Sequence, residues 1–312
     1  MKRLISITCL LSLIVCFLVL SLGGQQNSVE ATASKTLHAS DFGLGKIRDA
    51  AVAINAMYAA STNYSVLVIE PGIYEMYSPI KMIGNNHVTV IADQVAINDK
   101  SNAAIGFTFG AASDGVTNLS RCKIQGLRLQ KFGTVEGIGF QLQNCSSSVL
   151  RDCTIVYYGT AFRQWADSGH YCYFNILDNL GTYSCSNQIK LDGVAGNQIC
   201  HQSKTLKIIN FDTSSAVSAP GDIVFDFGVG SQNLVLGASV QTGGPGVILG
   251  QGDADGNYIQ LEYIESSGKD MIVNWGPNSR GNRIIANERR LIVNDLGKDN
   301  VQYYPAATIG SK

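Results

Sequence analysis

A short segment in the middle of the chain concentrates side chains that are suited to binding sugars and transferring protons. Arg163, Trp165 and Asp167 are followed closely by His170 and Tyr171. Aromatic faces stack on sugar rings, and a guanidinium binds a carboxylate through two hydrogen bonds. A histidine beside carboxylates serves as a general acid or base near neutral pH. The segment therefore predicts a glycan site, in which Arg163 and Trp165 bind while His170 and Asp167 act as catalytic groups.

Two tyrosines extend this predicted site. Tyr171 and Tyr173 are further substrate-binding candidates, because they lie within a few residues of Trp165. An alternative remains equally open, in which the aromatic side chains of the segment point inward and form part of the core.

The elements that must position these residues are short strands in a repeating pattern. Three nearly identical tetrapeptides, Gly-Asn-x-Ile, begin at residues 196, 256 and 281, and Asn233, Asn257 and Asn282 are spaced by 24 and 25 residues. The repeats lack helical periodicity and are shorter than a propeller blade, which favours an all-β, single-stranded parallel β-helix. The recurring asparagines predict a ladder of side-chain amides at one corner, where asparagine also tolerates left-handed backbone.

One segment near the N-terminus departs from this strand pattern. Residues 46–60 have apolar side chains at helical spacing and are rich in alanine, which predicts an amphipathic helix. A stack of coils exposes apolar core at its end, so this helix is expected to cap the N-terminal end. Strands are predicted after it at Ser65–Ile69 and Val88–Ala92.

Residues 41–80 resemble the N-terminal module of the pectate-lyase superfamily, which phage tailspikes share. The resemblance rests on Asp41–Gly43, on Asp49–Ala56 and on the strand that leads into Pro71–Tyr74. The usual Gly-Asp-Gly before the helix is replaced by the shorter stretch at residues 45–48. The resemblance implies a right-handed parallel β-helix with an N-terminal capping α-helix. Because tailspikes of this fold assemble as trimers, it also implies a homotrimer as one assembly.

The resemblance implies activity on polysaccharides, and the superfamily includes lyases, hydrolases, epimerases and non-catalytic adhesins. The Asp-Asp pair of the similar hydrolases is absent from the sequence, which argues against hydrolysis as the reaction. In lyases of this fold the base is commonly Arg or Lys, and Ca²⁺ held by carboxylates stabilises the developing charge. The candidate bases on strand faces are Arg128, Arg151, Lys190 and Lys207.

Two functions therefore stay open. The first is a polysaccharide lyase that cleaves an acidic glycan by β-elimination, with Lys190 as the candidate catalytic residue and Ca²⁺ as the cofactor that such a lyase would use. The second is a non-catalytic carbohydrate-binding or structural protein of the cell surface. The missing catalytic pattern favours the second, and the aromatic and charged cluster is compatible with both.

The N-terminus and the composition indicate an exported protein that binds no nucleic acid. Lys2 and Arg3 precede the apolar run Leu4–Leu22, and Ala31–Ala33 supplies a small-x-small cleavage site. Residues 1–33 are thus a predicted signal peptide, with an uncleaved membrane anchor as the alternative, and residues 34–312 are the β-helix domain. Removal of the signal leaves 21 basic and 23 acidic side chains without a basic cluster. The predicted location is extracellular, either secreted or on the cell surface.

The cysteines allow two interpretations. Six remain after the signal, at residues 122, 145, 153, 172, 185 and 200, and an even number in an exported chain permits disulfides. They also fall inside apolar or strand-like runs, as expected for buried thiols. The sequence leaves both interpretations open.

Overall fold

A computed structural model of the protein describes residues 34–110, 119–167, 172–193, 199–204, 207–210, 222–228, 234–242, 246–250, 254–266, 271–286 and 291–303. By packing, Lys35–Lys312 form one compact unit. The predicted signal peptide at residues 1–33 lies outside the described residues, and its removal stays a prediction. Among the described helices, none combines the length and apolarity needed to cross a membrane.

The predicted N-terminal helix is confirmed, with closer limits. Helix α1 spans Ala50–Ala59 and follows a short 3₁₀ helix at Ala39–Phe42. It begins at residue 50 because Asp49 is the N-cap, whose carboxylate accepts a hydrogen bond from the Ala51 backbone N–H at 3.1 Å. Ile54 and Met57 lie on its fully buried face, so the helix covers apolar side chains of the neighbouring coils.

The rest of the described chain is built from short strands. In chain order they are β1 Thr36–His38, β2 Val66–Val68, β3 Gly72–Met76, β4 Ile80–Ile83, β5 Thr89–Asp99, β6 Ile105–Gly110, β7 Leu119–Ser120, β8 Lys123–Lys131, β9 Ile138–Gln143, β10 Cys145–Ser146, β11 Val149–Arg151, β12 Thr154–Val156 and β13 Thr160–Ala166. They continue as β14 Cys172–Asp178, β15 Gly181–Tyr183, β16 Asn187–Gly193, β17 Ile199–Lys204, β18 Lys207–Asn210, β19 Asp222–Phe227, β20 Leu234–Thr242, β21 Gly246–Gly250, β22 Tyr258–Ser266, β23 Met271–Trp275, β24 Arg283–Ala286, β25 Leu291–Asp295 and β26 Val301–Tyr303.

Most of these strands belong to two large parallel sheets, and β7 and β10 pair in a separate two-stranded sheet. The second large sheet runs in the order β25-β23-β21-β19-β16-β13-β9-β6-β4, and the first large sheet holds the remaining strands, from β1 to β26. Each strand pairs in parallel with its equivalent one coil away. The chain therefore winds as a parallel β-helix with an N-terminal capping helix, and the predicted fold class is confirmed.

The core is a set of aligned side-chain ladders along the stack. In the second sheet, Phe107, Phe140, Phe162 and Phe225 occupy matching positions of successive strands, with Ile189 between the last two. The ring centroids of Phe107 and Phe140 are 4.8 Å apart, which is the ordinary distance between neighbouring strands. Because alternate residues point to opposite faces, the residues on either side of this ladder point outward.

The predicted asparagine ladder is present at Asn257 and Asn282, but its backbone differs from the expectation; Asn233 lies outside the described residues. The Nδ2 of Asn257 donates to Oδ1 of Asn282, and the Nδ2 of Asn282 donates to Oδ1 of Asn300, each at 2.8 Å. The left-handed conformation belongs to the residue before each rung, as in Gly256 with φ of 63° and Gly281 with φ of 61°. The asparagines of this ladder were thus wrongly expected to hold the left-handed backbone. Glycine takes that position before Asn257 and Asn282 because it has no Cβ penalty there, and Asp299 takes it before Asn300.

The described cysteines follow the buried-thiol interpretation. Cys122, Cys145, Cys153, Cys172 and Cys185 are buried thiols. Burial raises the pKa of these thiols, so they behave as small apolar side chains. The side chain of Cys200 lies outside the described part of the structure.

Candidate functional site

The outer face of the second sheet brings predicted site residues together. Strands β13, β16 and β19 lie side by side in register, so Arg163, Lys190 and Asp226 occupy equivalent positions on three successive coils. The preceding position on each strand is the inward ladder of Phe162, Ile189 and Phe225, so these three polar side chains point outward.

The side chains of this face form a connected row of opposite charges. Arg163 Nη2 lies 2.8 Å from Asp192 Oδ2, and Lys190 Nζ lies 3.3 Å from the same oxygen. Lys190 Nζ is also 3.8 Å from Asp226 Oδ2. We name Arg163, Lys190, Asp192 and Asp226 the charged row. Its members are half-buried, so the attraction between them is less screened than in an ion pair fully exposed to water.

One nitrogen of the charged row is unsatisfied. The Nε of Arg163 is buried and has no hydrogen-bond partner among the described residues. A buried donor without a partner costs stability, so native structures hold few of them and tolerate them chiefly at functional sites. The guanidinium is thus held in place by Asp192 and its neighbours at a cost to folding.

Asp226 is a carboxyl that holds its proton more tightly than usual. Burial raises its pKa above the ordinary value, and the negative charge of Asp192 raises it further, while Lys190 acts in the opposite direction. A carboxyl group with a raised pKa beside a cation is a candidate general acid.

Trp165 and Asp167 border the charged row and are held firmly. The Arg163 guanidinium carbon lies 4.0 Å from the centroid of the Trp165 ring, in cation–π contact. The Trp165 Nε1–H donates to Asp167 Oδ1 at 2.6 Å, and the Asn144 amide donates to Asp167 Oδ2 at 3.0 Å. Asp167 also donates its backbone N–H to Asn144 Oδ1, so its carboxylate orients Trp165 and fastens the corner.

The structure thus gathers some of the predicted site residues and leaves others elsewhere. Lys190, Arg163, Trp165 and Asp167 lie together on the second sheet, while His170 and Tyr171 lie outside the described residues. Tyr173 belongs to β14 in the first sheet, and its side chain lies outside the described part. The roles proposed for all seven residues stay predictions.

The other candidate bases lie away from the charged row. Arg128, Arg151 and Lys207 belong to β8, β11 and β18 of the first sheet. Arg151 Nη2 pairs with Asp178 Oδ2 at 2.8 Å, which is a link between neighbouring coils. Lys190 is therefore the member of that group that joins the other predicted residues.

Asp226 was missed by sequence reasoning, although a signal for it exists. It stands between Phe225 and Phe227, in the same apolar-polar-apolar order that surrounds Lys190. More residues separate β16 from β19 than separate β13 from β16, so sequence spacing did not place Asp226 beside Lys190.

The described carboxylates do not fit a calcium cage. No group of three His, Cys, Asp or Glu side chains within the described residues is placed to hold a metal ion. Ca²⁺ takes six to eight oxygen ligands. In the charged row, Asp192 and Asp226 already pair with the Lys190 ammonium and do not form such a set of oxygen ligands.

Comparisons with known proteins support the fold alone. The chain is similar to the solved structure of ORF18 of Geobacillus virus E2, with 14% identity and a TM-score of 0.58. The match covers 94% of this chain and 65% of the viral chain, so this chain spans less than two thirds of that protein. No family model matches, and no curated protein does.

Two enzymes show weaker likeness. For pectate lyase Pel9A the identity is 12%, the TM-score is 0.39, and the match covers 81% of this chain and 75% of the lyase. For the Agl-KA catalytic domain the identity is 11% and the TM-score 0.31, with 88% of this chain and 68% of that domain covered. Neither TM-score is high enough to carry a functional inference.

Proposed function

We propose that the protein acts on an acidic polysaccharide that lies along the outer face of the second sheet. The observation that carries the proposal is the gathering of Trp165 and the charged row on successive coils. A polysaccharide is an extended chain of repeating units, so it can lie along side chains that occupy equivalent positions on successive coils. With residues 1–33 as an export signal, the proposed place of action is outside the cell or on its surface.

Binding of the polymer follows from the groups on this face. Arg163 supplies a guanidinium for a uronate carboxylate, and Trp165 supplies an aromatic surface beside it. Asp192 holds Arg163 in place, so little side-chain entropy is lost when the substrate binds. Asp167 holds Trp165 in the same way.

β-Elimination is the reaction that we assign to this site. A base removes the proton on the carbon next to the uronate carboxylate, the bond to the glycosidic oxygen breaks, and the electron pair forms the new carbon–carbon double bond. The leaving oxygen takes a proton. We assign Arg163 to neutralise the carboxylate, Lys190 in its neutral amine form to accept the first proton, and Asp226 to donate the second, because its raised pKa keeps it protonated at higher pH.

A second candidate function is binding without cleavage. One observation favours it: Lys190 Nζ already pairs with both Asp192 and Asp226, and an ion-paired ammonium has no lone pair with which to accept a substrate proton. A surface protein that only holds the glycan would need the same cations and the same tryptophan.

Product analysis separates the two functions. The purified protein is incubated with pectic, alginate and glycosaminoglycan polymers, while the ultraviolet absorbance of unsaturated ends and the reducing ends are followed. We expect unsaturated products, lost at least a hundredfold in Lys190→Ala and Arg163→Ala with circular dichroism unchanged. Lys81→Ala is the matched control, since Lys81 is an exposed lysine at the equivalent position of β4. Binding without product in every polymer would support the second function, and wild-type rates in both variants would remove the assigned roles.

A further inference from the structure

A cleft lies on the first sheet, away from the charged row. It has a volume of about 450 Å³ and is lined by Arg128, Gln130, Tyr157 and Tyr183, among others. Its residues come from β8, β12, β15 and the corners that follow them, on three successive coils. The volume is in the range of pockets that bind small ligands.

Arg128 is the charged group of this cleft, and its surroundings leave that charge available. The neighbouring coils place Ala96 and Thr154 at the equivalent positions, so no acidic side chain flanks it along the ladder. Its Nη2 donates to Gln130 Oε1 at 3.0 Å, and none of the ion pairs among the described residues includes it. By contrast, Arg151 and Arg163 are each paired with an aspartate.

Tyr157 adds an exposed aromatic ring at the rim. The side chain is 39% exposed, and the residue has a left-handed backbone with φ of 63°. Such backbone is unusual for a bulky residue. Ser184 takes the same conformation at the same corner of the next coil, with φ of 51°, so the corner itself does not require tyrosine.

Tyr183 forms a second aromatic wall. A Cβ at Gly181 would lie 2.9 Å from the Tyr183 ring, so the ring extends over the space that a side chain at residue 181 would fill. The two tyrosines are tied together, because the Tyr157 backbone N–H donates to the Tyr183 carbonyl at 3.0 Å. The missing side chain of Gly181 thus leaves space for the Tyr183 ring, and the backbone hydrogen bond holds Tyr157 beside Tyr183.

We propose that this cleft is a binding site for an anionic sugar unit, in which Arg128 binds the acidic group and Tyr157 and Tyr183 contact the ring. The Gln130 side chain holds the Arg128 guanidinium, and its amide would hydrogen-bond to hydroxyl groups of the sugar. The charged group on the sugar is a carboxylate or a sulfate, since a guanidinium binds both through paired hydrogen bonds. The site goes beyond the proposed reaction, because it would anchor a glycan on the first sheet, away from the charged row.

Calorimetric titration of the full-length protein tests the site. The probes are trigalacturonate for the carboxylate, a sulfated disaccharide for the sulfate, and maltotriose as the neutral control. We expect binding of one or both anionic probes, weakened at least tenfold in Arg128→Ala and in Tyr157→Ser. Arg128→Lys should be intermediate, because it keeps the charge and loses the paired geometry. Arg283→Ala, an exposed arginine elsewhere on the first sheet, should bind as the wild type does.

The outcomes separate this site from the charged row. Titrations repeated in the Arg163→Ala background should still show the Arg128-dependent binding. Equal affinities in Arg128→Ala and Arg283→Ala, no binding of either anionic probe, or equally tight binding of maltotriose would each overturn the proposal. If no polymer is cleaved but the Arg128-dependent binding is observed, the proposed reaction fails and the proposed binding site is supported.

Discussion

A buried ion pair in the N-terminal half predicts a large and specific loss of stability. Asp99 is fully buried, and its Oδ2 lies 3.1 Å from Lys131 Nζ. The same oxygen accepts the Tyr158 hydroxyl at 2.8 Å, while Oδ1 accepts the N–H and the hydroxyl of Ser101. Lys131 also donates to the Ser101 carbonyl at 2.6 Å. The cluster joins strands β5 and β8 and the corner after β12.

Lys131→Met removes the cation and leaves the carboxylate buried. Breaking such a pair costs about 3–5 kcal/mol. Because three donors to Asp99 remain, we expect the lower end, about 3 kcal/mol, which lowers the melting temperature by on the order of 10 °C in a protein of this size. Tyr158→Phe removes one hydrogen bond to a charged group and should cost about 1.5–3 kcal/mol.

Thermal and urea unfolding, followed by circular dichroism, measure these losses. Lys100→Met is the matched control, because Lys100 pairs with Glu75 on the surface and should change stability far less. An Asp99→Asn/Lys131→Met double variant that loses less than the sum of the single variants would show that the two groups interact. If Lys131→Met is no more costly than Lys100→Met, the reasoning from burial is refuted.

Three further predictions concern other parts of the coil. Burial raises the pKa of the Cys153 and Cys185 thiols to about 12, so native protein at pH 8 should resist a thiol reagent that labels the unfolded chain; rapid native labelling would contradict this. Asn282→Ala breaks a buried rung and should cost about 3 kcal/mol in urea unfolding, whereas the exposed Asn294→Ala should cost only a few tenths. The pKa of Asp226 in the folded protein lies above its ordinary 3.8. As the pH rises from the ordinary pKa to the raised one, this carboxyl therefore stabilises the fold less. The stability advantage of Asp226→Asn over wild type should therefore grow upward from about pH 4, and a pH-independent difference would count against the raised pKa.

Local patterns along the chain were enough to predict the architecture. Alanine-rich helical spacing located α1, and repeated Gly-Asn corners with short strands between them indicated a parallel β-helix. Asn257 and Asn282 were expected to form a ladder, and they do. These features depend on local propensity and on a period that the sequence displays directly.

The candidate site was only partly predictable. Arg163, Trp165 and Asp167 stand within five residues of one another, and alternation on one strand places Arg163 and Trp165 on the same face. Lys190 and Asp226 join them only because β16 and β19 stack in register on β13. The Arg128 cleft likewise combines side chains of three coils, and the sequence offered Arg128 only as a candidate base.

The sequence by itself thus determined the coil, its capping helix and the kinds of side chain available. The tertiary structure decided which of those side chains meet, such as Lys131 with Asp99 and Lys190 with Asp226. The physical reason is that contacts in a stacked fold form between coils rather than within them. The loops between coils differ in length, so the number of residues between two partners does not reveal that they are neighbours. Whether a charge is paired, like Arg163, or available, like Arg128, then depends on the residue that the next coil places beside it.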